Sequence, residues 1–165
     1  MTTSSSTPDS DVSTVAELAT GISFAMLTTT DETGALVSRP MASRGIDEQG
    51  DLWFLSSRDS RKVAQIQADP RVGVALTSRD VWISVAGTAE VVEDSAKAAE
   101  LWSPQMEGWF PQGPEDPSVV LVKVSGETAE YWDTPGGLVA SALSFVKVKT
   151  TGKRYAGNEN EVVSL

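Results

Sequence analysis

Residues 56–63 read SSRDSRKV and set Arg58, Arg61 and Lys62 side by side in a chain whose formal net charge is −10. Asp59 or Ser60 can cap a helix starting there, which puts Arg61 and Lys62 in its first turn. Cations at that end oppose the helix dipole, which favours acids. The placement becomes favourable if a dianion sits at the helix start, because unpaired N–H groups point at it and two positive charges neutralise it. Ser56 and Ser57 close the preceding apolar run LWFLSS and add hydroxyl donors. Arg39, on a separate strand, offers a planar fork for bidentate contact with an anion. The chemistry indicated is recognition of a small phosphate-bearing ligand. A plain solvated helix start also accounts for these residues, since Arg and Lys are good helix formers, so the segment by itself leaves both readings open.

Other chemistries have less to stand on. The 165 residues include no Cys and no His, which excludes disulfides and thiolate catalysis and removes the commonest general base and metal ligand. The acidic pairs Asp9/Asp11 and Glu159/Glu161 fall in segments that read as tails. No metal ligand set and no catalytic side chain is assigned. With 13 basic against 23 acidic residues, the surface should repel nucleic acid and anionic membranes. Charge is unevenly spread, however. Residues 39–79 carry seven bases against five acids, whereas residues 80–145 carry two against eleven. A locally basic segment in an acidic chain favours a small anionic ligand over a large anionic partner. No run approaches the ~20 apolar residues of a membrane-spanning helix, and MTTSSSTPDSD lacks the basic and apolar regions of a signal peptide. The expectation is a cytoplasmic protein.

The elements that position these residues follow from periodicity. VSTVAELAT (12–20) suggests a short helix, and ISFAMLTT (22–29) alternates in strand period. DETG turns the chain into ALVSRPMASR (35–44), a returning strand in which Pro40 marks an edge, a bulge or a strand end. LWFLSS (52–57) reads as a strand buried on both faces. A helix over 58–70 ends at Asp69-Pro70, and RVGVALT and VWISVAGTAEVV give two further strands, with Gly87 suggesting a bulge. SAKAAELW is a short helix, residues 103–117 a loop, and residues 118–133 one long strand or a pair. Residues 135–149 mix a helix with a strand end, and 150–165 look frayed. The predicted organisation is a tail over 1–11, one domain over 12–149 and a tail over 150–165. The fold class is mostly β: a small barrel of about six antiparallel strands with short helices.

In SRPMAS (38–43), LWFLSSRDSRKVAQIQADPRVGVAL (52–76), ISVAGTAEVVED (83–94), LWSPQMEGWFPQGPEDPSVVLVKV (101–124) and AEYWD (129–133), the chain resembles the pyridoxamine 5′-phosphate oxidase-like, FMN-binding split barrels. The WFPQGPEDP and AEYWD segments are most similar to the general stress protein 26 branch. The resemblance implies a split-barrel homodimer with FMN between subunits. It matches Arg39 to an arginine near the flavin phosphate and ribityl chain, and Pro40 and Met41 to positions beside the ring. Leu55 and Ser56, with Ser57 beside them, match the strand end that contacts flavin and phosphate, and Arg61 and Lys62 match the phosphate-binding Arg-Lys. Trp82 stands near a position where many such oxidases have a flavin-contacting Gln, and Arg44 near a substrate-phosphate Lys. The ending TTGKRYAGNENEVVSL lacks the Arg- and His-containing segment with which those oxidases hold their substrate, which argues against vitamin B6 oxidation.

Three functions are then in contention. One is an FMN-dependent oxidoreductase acting on a small substrate with an electron donor such as NAD(P)H. Another is a flavin-binding or flavin-sequestering stress protein without turnover. The last is a relative that uses deazaflavin F420; haem is disfavoured by the missing His. Trp102, Trp109, Phe110 and Trp132 serve either as a wall over the ring or as interface and core packing.

Overall fold

The computed structural model describes residues 8–133 and 159–165. Within them, the alternating runs become strands with one buried face. Helix α1 (Pro8–Ala19) leads into β1 (Phe24–Thr30), β2 (Leu36–Ala42) and β3 (Asp51–Ser57). Helix α2 (Arg61–Ala68), β4 (Arg71–Thr77) and β5 (Val81–Val92) follow, then helix α3 (Ser95–Leu101) and a 3-10 turn over Pro104–Gly108. The long strand β6 (Val119–Asp133) and β7 (Glu159–Ser164) complete the order. Every pairing is antiparallel, in the order β2-β1-β4-β5-β6-β3, with β7 also on β6.

The length of β6 organises the sheet. One of its edges pairs with β5 along nearly its whole length. The other edge is shared end to end: residues 119–125 pair with β3 and residues 128–133 with β7. The sheet curls around a core in which Leu27, Leu52, Phe54, Leu76, Ile83, Val122 and Val124 are almost wholly buried. Strands β2 and β3, its two ends, approach one another without a hydrogen-bonded ladder. The barrel is therefore split along that seam.

The mostly antiparallel architecture is the one the sequence indicates, with local corrections. Seven strands, not about six, are found among the described residues. The added strand, β7, lies inside the segment 150–165 expected to be a tail; Val163 is buried and pairs with Ala129. The first helix begins at Pro8, inside the expected tail over 1–11, where proline's fixed φ suits a first helical position. Of the residues 118–133, Val119–Asp133 form one strand rather than two. The expected helix and strand over 135–149 lie outside the described residues. Strand β3 is buried on one face only: Leu52, Phe54 and Ser56 are covered, while Trp53 and Leu55 are half-buried. It is a sheet end, and its outer face is covered only by side chains. Lys97 and Lys123 lie over the Trp53 ring at 5.3 and 5.6 Å, and Trp53 Nε1 donates to Asp47 Oδ2 at 3.1 Å.

Gly87 sits where the β5–β6 register shifts. A β-carbon there would lie 2.0 Å from the Ser125 carbonyl oxygen, a backbone atom that has no rotamer to escape through. Gly87→Ala should destabilise the protein by about 2 kcal/mol or more, the overpacking range, lowering the thermal midpoint by roughly 4–8 °C. A melting curve that matches the parent would show that the two backbones are not packed this closely.

Candidate functional site

The seam gains its chemistry from the element that follows β3. Ser60 is the N-cap of α2 in extended conformation, yet its side chain makes no capping bond. Its hydroxyl instead pairs with Ser56 Oγ at 3.1 Å. The first turn contains no acid, so the amide end of the helix keeps neither a side-chain cap nor a countercharge from that turn. Lys62 Nζ donates to Ser56 Oγ at 3.1 Å, which folds the ammonium back toward the strand end. Along α2, Gln65 follows Arg61 by four residues and Lys62 by three, and these spacings share a helix face.

From the opposite end of the sheet, β2 contributes Arg39. Its Nη1 donates to the Leu27 carbonyl at 3.2 Å and to Thr29 Oγ1 at 2.7 Å, and its Nη2 to Gln65 Oε1 at 2.9 Å. Thr29 and Gln65 are buried and are themselves joined, Thr29 Oγ1 donating to Gln65 Oε1 at 2.6 Å. The guanidinium thus ties β2, β1 and α2 together at the split.

A cavity of about 360 Å³ opens here, lined by Val37, Ser38, Arg39, Arg61, Lys62 and Gln65. Three of these six residues are cations and none is an acid. Among the described residues, Arg58, Arg71, Lys97 and Lys123 have ion-pair partners, whereas Arg39, Arg61 and Lys62 have none. Asp31 lies within the influence of Arg61 but is engaged elsewhere. The Thr33 hydroxyl, then the Thr33 and Ala35 amides, hold its carboxyl below the usual range, and Arg61 adds only a small further effect. Burial, then repulsion from Arg39, pushes the Lys62 ammonium below its ordinary pKa. Burial and then Arg61 lower Arg39 in the same way. Two of the three cations are therefore held charged at a cost that a nearby negative charge would reduce.

The residues expected at the site divide into two groups. Arg39, Arg61 and Lys62 line the cavity, and Ser56 reaches it through Lys62. Pro40 and Met41 point to opposite faces of β2: Pro40 is exposed, whereas Met41 is buried in the core. Neither lines the cavity, nor do Leu55 and Ser57, which pair with Leu121 and Val119. Arg58 leaves the basic cluster altogether. It pairs with Glu93 and donates to the Pro117 carbonyl, fastening the end of the 103–117 loop to the end of β3 and to the residue after β5. Arg44 donates to the Leu101 carbonyl at 3.1 Å, away from the cavity. Trp102 packs on Phe110 with centroids 6.2 Å apart, Trp109 is 79% exposed, and Trp132 lies opposite Trp82 across β5 and β6. Sequence reasoning missed Gln65 and Thr29. The signal available for Gln65 was its helical spacing from Arg61 and Lys62; Thr29 carried none.

Fold and cavity together define a class: split antiparallel barrels with an acid-free, cation-lined pocket where the two sheet ends meet. The chain belongs to the pyridoxamine 5′-phosphate oxidase like family, whose model matches residues 10–156. Within that family its similarity runs to proteins called general stress protein 26. It is 26% identical to the Bacillus anthracis general stress protein 26 structure, covering 74% of this chain and 92% of that one with a TM-score of 0.65. Protein bli-3 of Neurospora crassa is 29% identical over 168 residues, spanning 94% of this chain and 80% of its own length. A Nostoc punctiforme structure described as a pyridoxamine 5′-phosphate oxidase-related, FMN binding protein shares the fold at 15% identity, covering 94% and 93% of the two chains with a TM-score of 0.56.

Because Lys62 is less basic in the folded protein than in the unfolded chain, its charge disfavours folding below its folded pKa. That cost disappears as pH rises from the folded value toward the ordinary 10.5. Lys62→Met should therefore leave the ligand-free protein as stable as the parent or more so near neutral pH, with the advantage shrinking toward pH 10. Urea midpoints measured across that range would contradict this if the variant were least stable, relative to the parent, at neutral pH.

Proposed function

We propose that this chain is a cytoplasmic FMN-binding protein that uses the bound flavin for oxidoreductase chemistry on a small substrate. The carrying observation is the trio Arg39, Arg61 and Lys62, gathered without an acid at the uncapped start of α2. Their fit to a phosphate monoester rests on charge, donor number and position at a helix N-terminus. Arg61 and Lys62 neutralise the dianion and Arg39 orients it. Ser56 holds Lys62 in reach. When bound, flavin supplies reversible two-electron chemistry that no side chain of this protein can provide. The chain's part is then to hold the phosphate, aim the rest of the molecule and shield it.

Shielding and the remaining ligand contacts fit a homodimer with the cofactor between subunits. The outer face of the sheet is apolar to a degree that suits a second copy. Phe24, Met26, Leu36, Trp82 and Val162 are 67%, 42%, 78%, 39% and 66% exposed. Strand register sets Pro40 beside Met26, and Trp82 beside Trp132, on that face. Patches of this kind on a monomer mark interaction surfaces. In this reading Pro40 and the Trp82–Trp132 pair meet the ligand or the partner from outside the barrel. Met26→Asp with Trp82→Asp should convert a dimer to monomer in analytical ultracentrifugation; a parent protein that sediments as a monomer would refute the dimer.

Fluorescence titration with FMN and riboflavin tests the site. The parent should prefer FMN strongly. Arg61→Ala with Lys62→Ala should erase the preference, because two charge-assisted contacts at about 1.5–3 kcal/mol each correspond to at least about 100-fold. FMN affinity should fall below about pH 6, where the phosphate takes up its second proton. It should fall again at high pH, beginning below 10.5, as Lys62 loses its charge from a lowered pKa. Equal affinity of the parent for FMN and riboflavin would remove the proposal.

The chain's lack of Cys and His leaves few groups to move protons at a flavin, and this favours a second reading, flavin binding without turnover. Anaerobic mixing of the FMN-loaded protein with NADH or NADPH separates the two: bleaching supports the enzyme, and an unchanged spectrum across a panel of donors supports the binding protein. Mass identification of the chromophore released on denaturation separates FMN from F420.

A further inference from the structure

We propose that Thr29 and Gln65 are positioning residues that aim Arg39 into the cavity, and that the Gln65 side-chain amide is itself a neutral donor to the bound phosphate. This inference rests on reading the cavity as a phosphate site, and nothing in the charge pattern of the sequence points to either residue.

The proton positions follow from one fact: a guanidinium has five N–H donors and no acceptor. Arg39 Nη2 lies 2.9 Å from Gln65 Oε1, so the amide must present its oxygen to the arginine. Thr29 Oγ1 lies 2.7 Å from Arg39 Nη1 and so accepts from it, leaving the threonine proton to go to Gln65 Oε1 at 2.6 Å. Reversing the Gln65 amide would set N–H against N–H. The triangle therefore has one self-consistent arrangement, with the amide oxygen used twice. Thr29 is 1% exposed and Gln65 6% exposed, so neither is free to exchange these partners for bulk water.

Two consequences reach the cavity. Both protons of Arg39 Nη1 are spent, on Leu27 and Thr29, and one proton of Nη2 goes to Gln65. Left over are Nε–H and the second Nη2–H, the parallel pair that binds two oxygens of a phosphate or carboxylate side-on. Among the described residues no hydrogen bond occupies them. Gln65, its oxygen committed, keeps its NH₂ group for the cavity it lines. No buried side-chain nitrogen or oxygen among the described residues lacks a partner, which places this NH₂ where the cavity contents reach it. Arg61 and Lys62 supply charge on flexible stems, whereas the Arg39 fork and the Gln65 amide supply direction. A site built this way distinguishes a terminal phosphate from other anions by geometry as well as by charge.

The test is FMN and riboflavin affinity of the full-length chain, the difference between the two being the phosphate-dependent part. Thr29→Val, close in shape to the parent residue, should cut the preference for FMN about 10-fold while riboflavin affinity stays unchanged, and Thr29→Ser should restore it. Gln65→Glu keeps an acceptor for both Arg39 and Thr29 and so should fold well, but it replaces the amide donor with a negative charge; its preference should fall on the order of 100-fold. In an Arg39→Met background, Thr29→Val should cost nothing further, because it acts through the arginine. Should the parent prefer FMN while Thr29→Val and Gln65→Glu, folded by circular dichroism, prefer it equally, the positioning inference fails and the phosphate site stands. Additive losses in the Arg39→Met background would likewise overturn it. A parent without any preference for FMN would instead refute the site itself.

Discussion

Unbalanced positive charge at the seam of the barrel is the constraint on which the site depends. Arg39, Arg61 and Lys62 converge on one cavity, and no acid lines it. Burial, then repulsion from Arg61 on Arg39 and from Arg39 on Lys62, makes both less basic than usual. Elsewhere in the described residues Arg58, Arg71, Lys97 and Lys123 are ion-paired, and Arg44 and Arg79 stand apart from one another without an acid partner. What distinguishes the seam is that three unpaired cations share one cavity. Keeping Arg39 and Lys62 charged and half-buried without an acid costs stability that a neighbouring carboxylate would offset. Retaining that cost makes physical sense for a site whose missing partner is a ligand.

The rest of the architecture can be understood as the means of holding those charges together. Strands β2 and β3 are far apart in the sheet order, and only the curl of the sheet brings them near. The curl is supported by the core and by the long strand β6, which bonds to three others. Where the ladder fails to close, α2 spans the gap, packing on β1 and β5. The buried Thr29–Gln65 pair then gives Arg39 a fixed seat on both sides of the split. An open seam is a weakness in a barrel, and here the cavity lined by Arg39, Arg61 and Lys62 opens beside it.

Much of this was legible in the amino-acid order, and the parts that were not have physical reasons. Arg61 and Lys62 were visible because charge at a helix start conflicts with the dipole, and the structure brings both to the cavity with Arg39. Gly87 was visible because glycine inside a strand run needs an explanation, and the close approach of Ser125 supplies it. Arg58 misled because adjacency in sequence says nothing of direction: one residue past a strand end, its side chain turns toward Glu93 and Pro117. Pro40 and Met41 were grouped by motif, yet strand alternation sends them to opposite faces, a point the period of two already contained. The strand β7 was hidden because ENEVVS has only two adjacent apolar residues, too short a pattern for strand alternation to show. Thr29 was hidden for a different reason. A threonine in a strand is expected on propensity grounds, and only the three-dimensional approach of Arg39 and Gln65 gives it a task.

The central claim is that a phosphate dianion completes the charge balance of the seam. Phosphorus NMR of bound FMN, followed from pH 8 downward, measures this at the atom concerned. Three nearby cations should stabilise the dianion, so that the bound phosphate takes up its second proton well below the value of about 6 seen in water. A bound phosphate that titrates as it does free in solution would mean that these charges do not hold it, and would contradict the account.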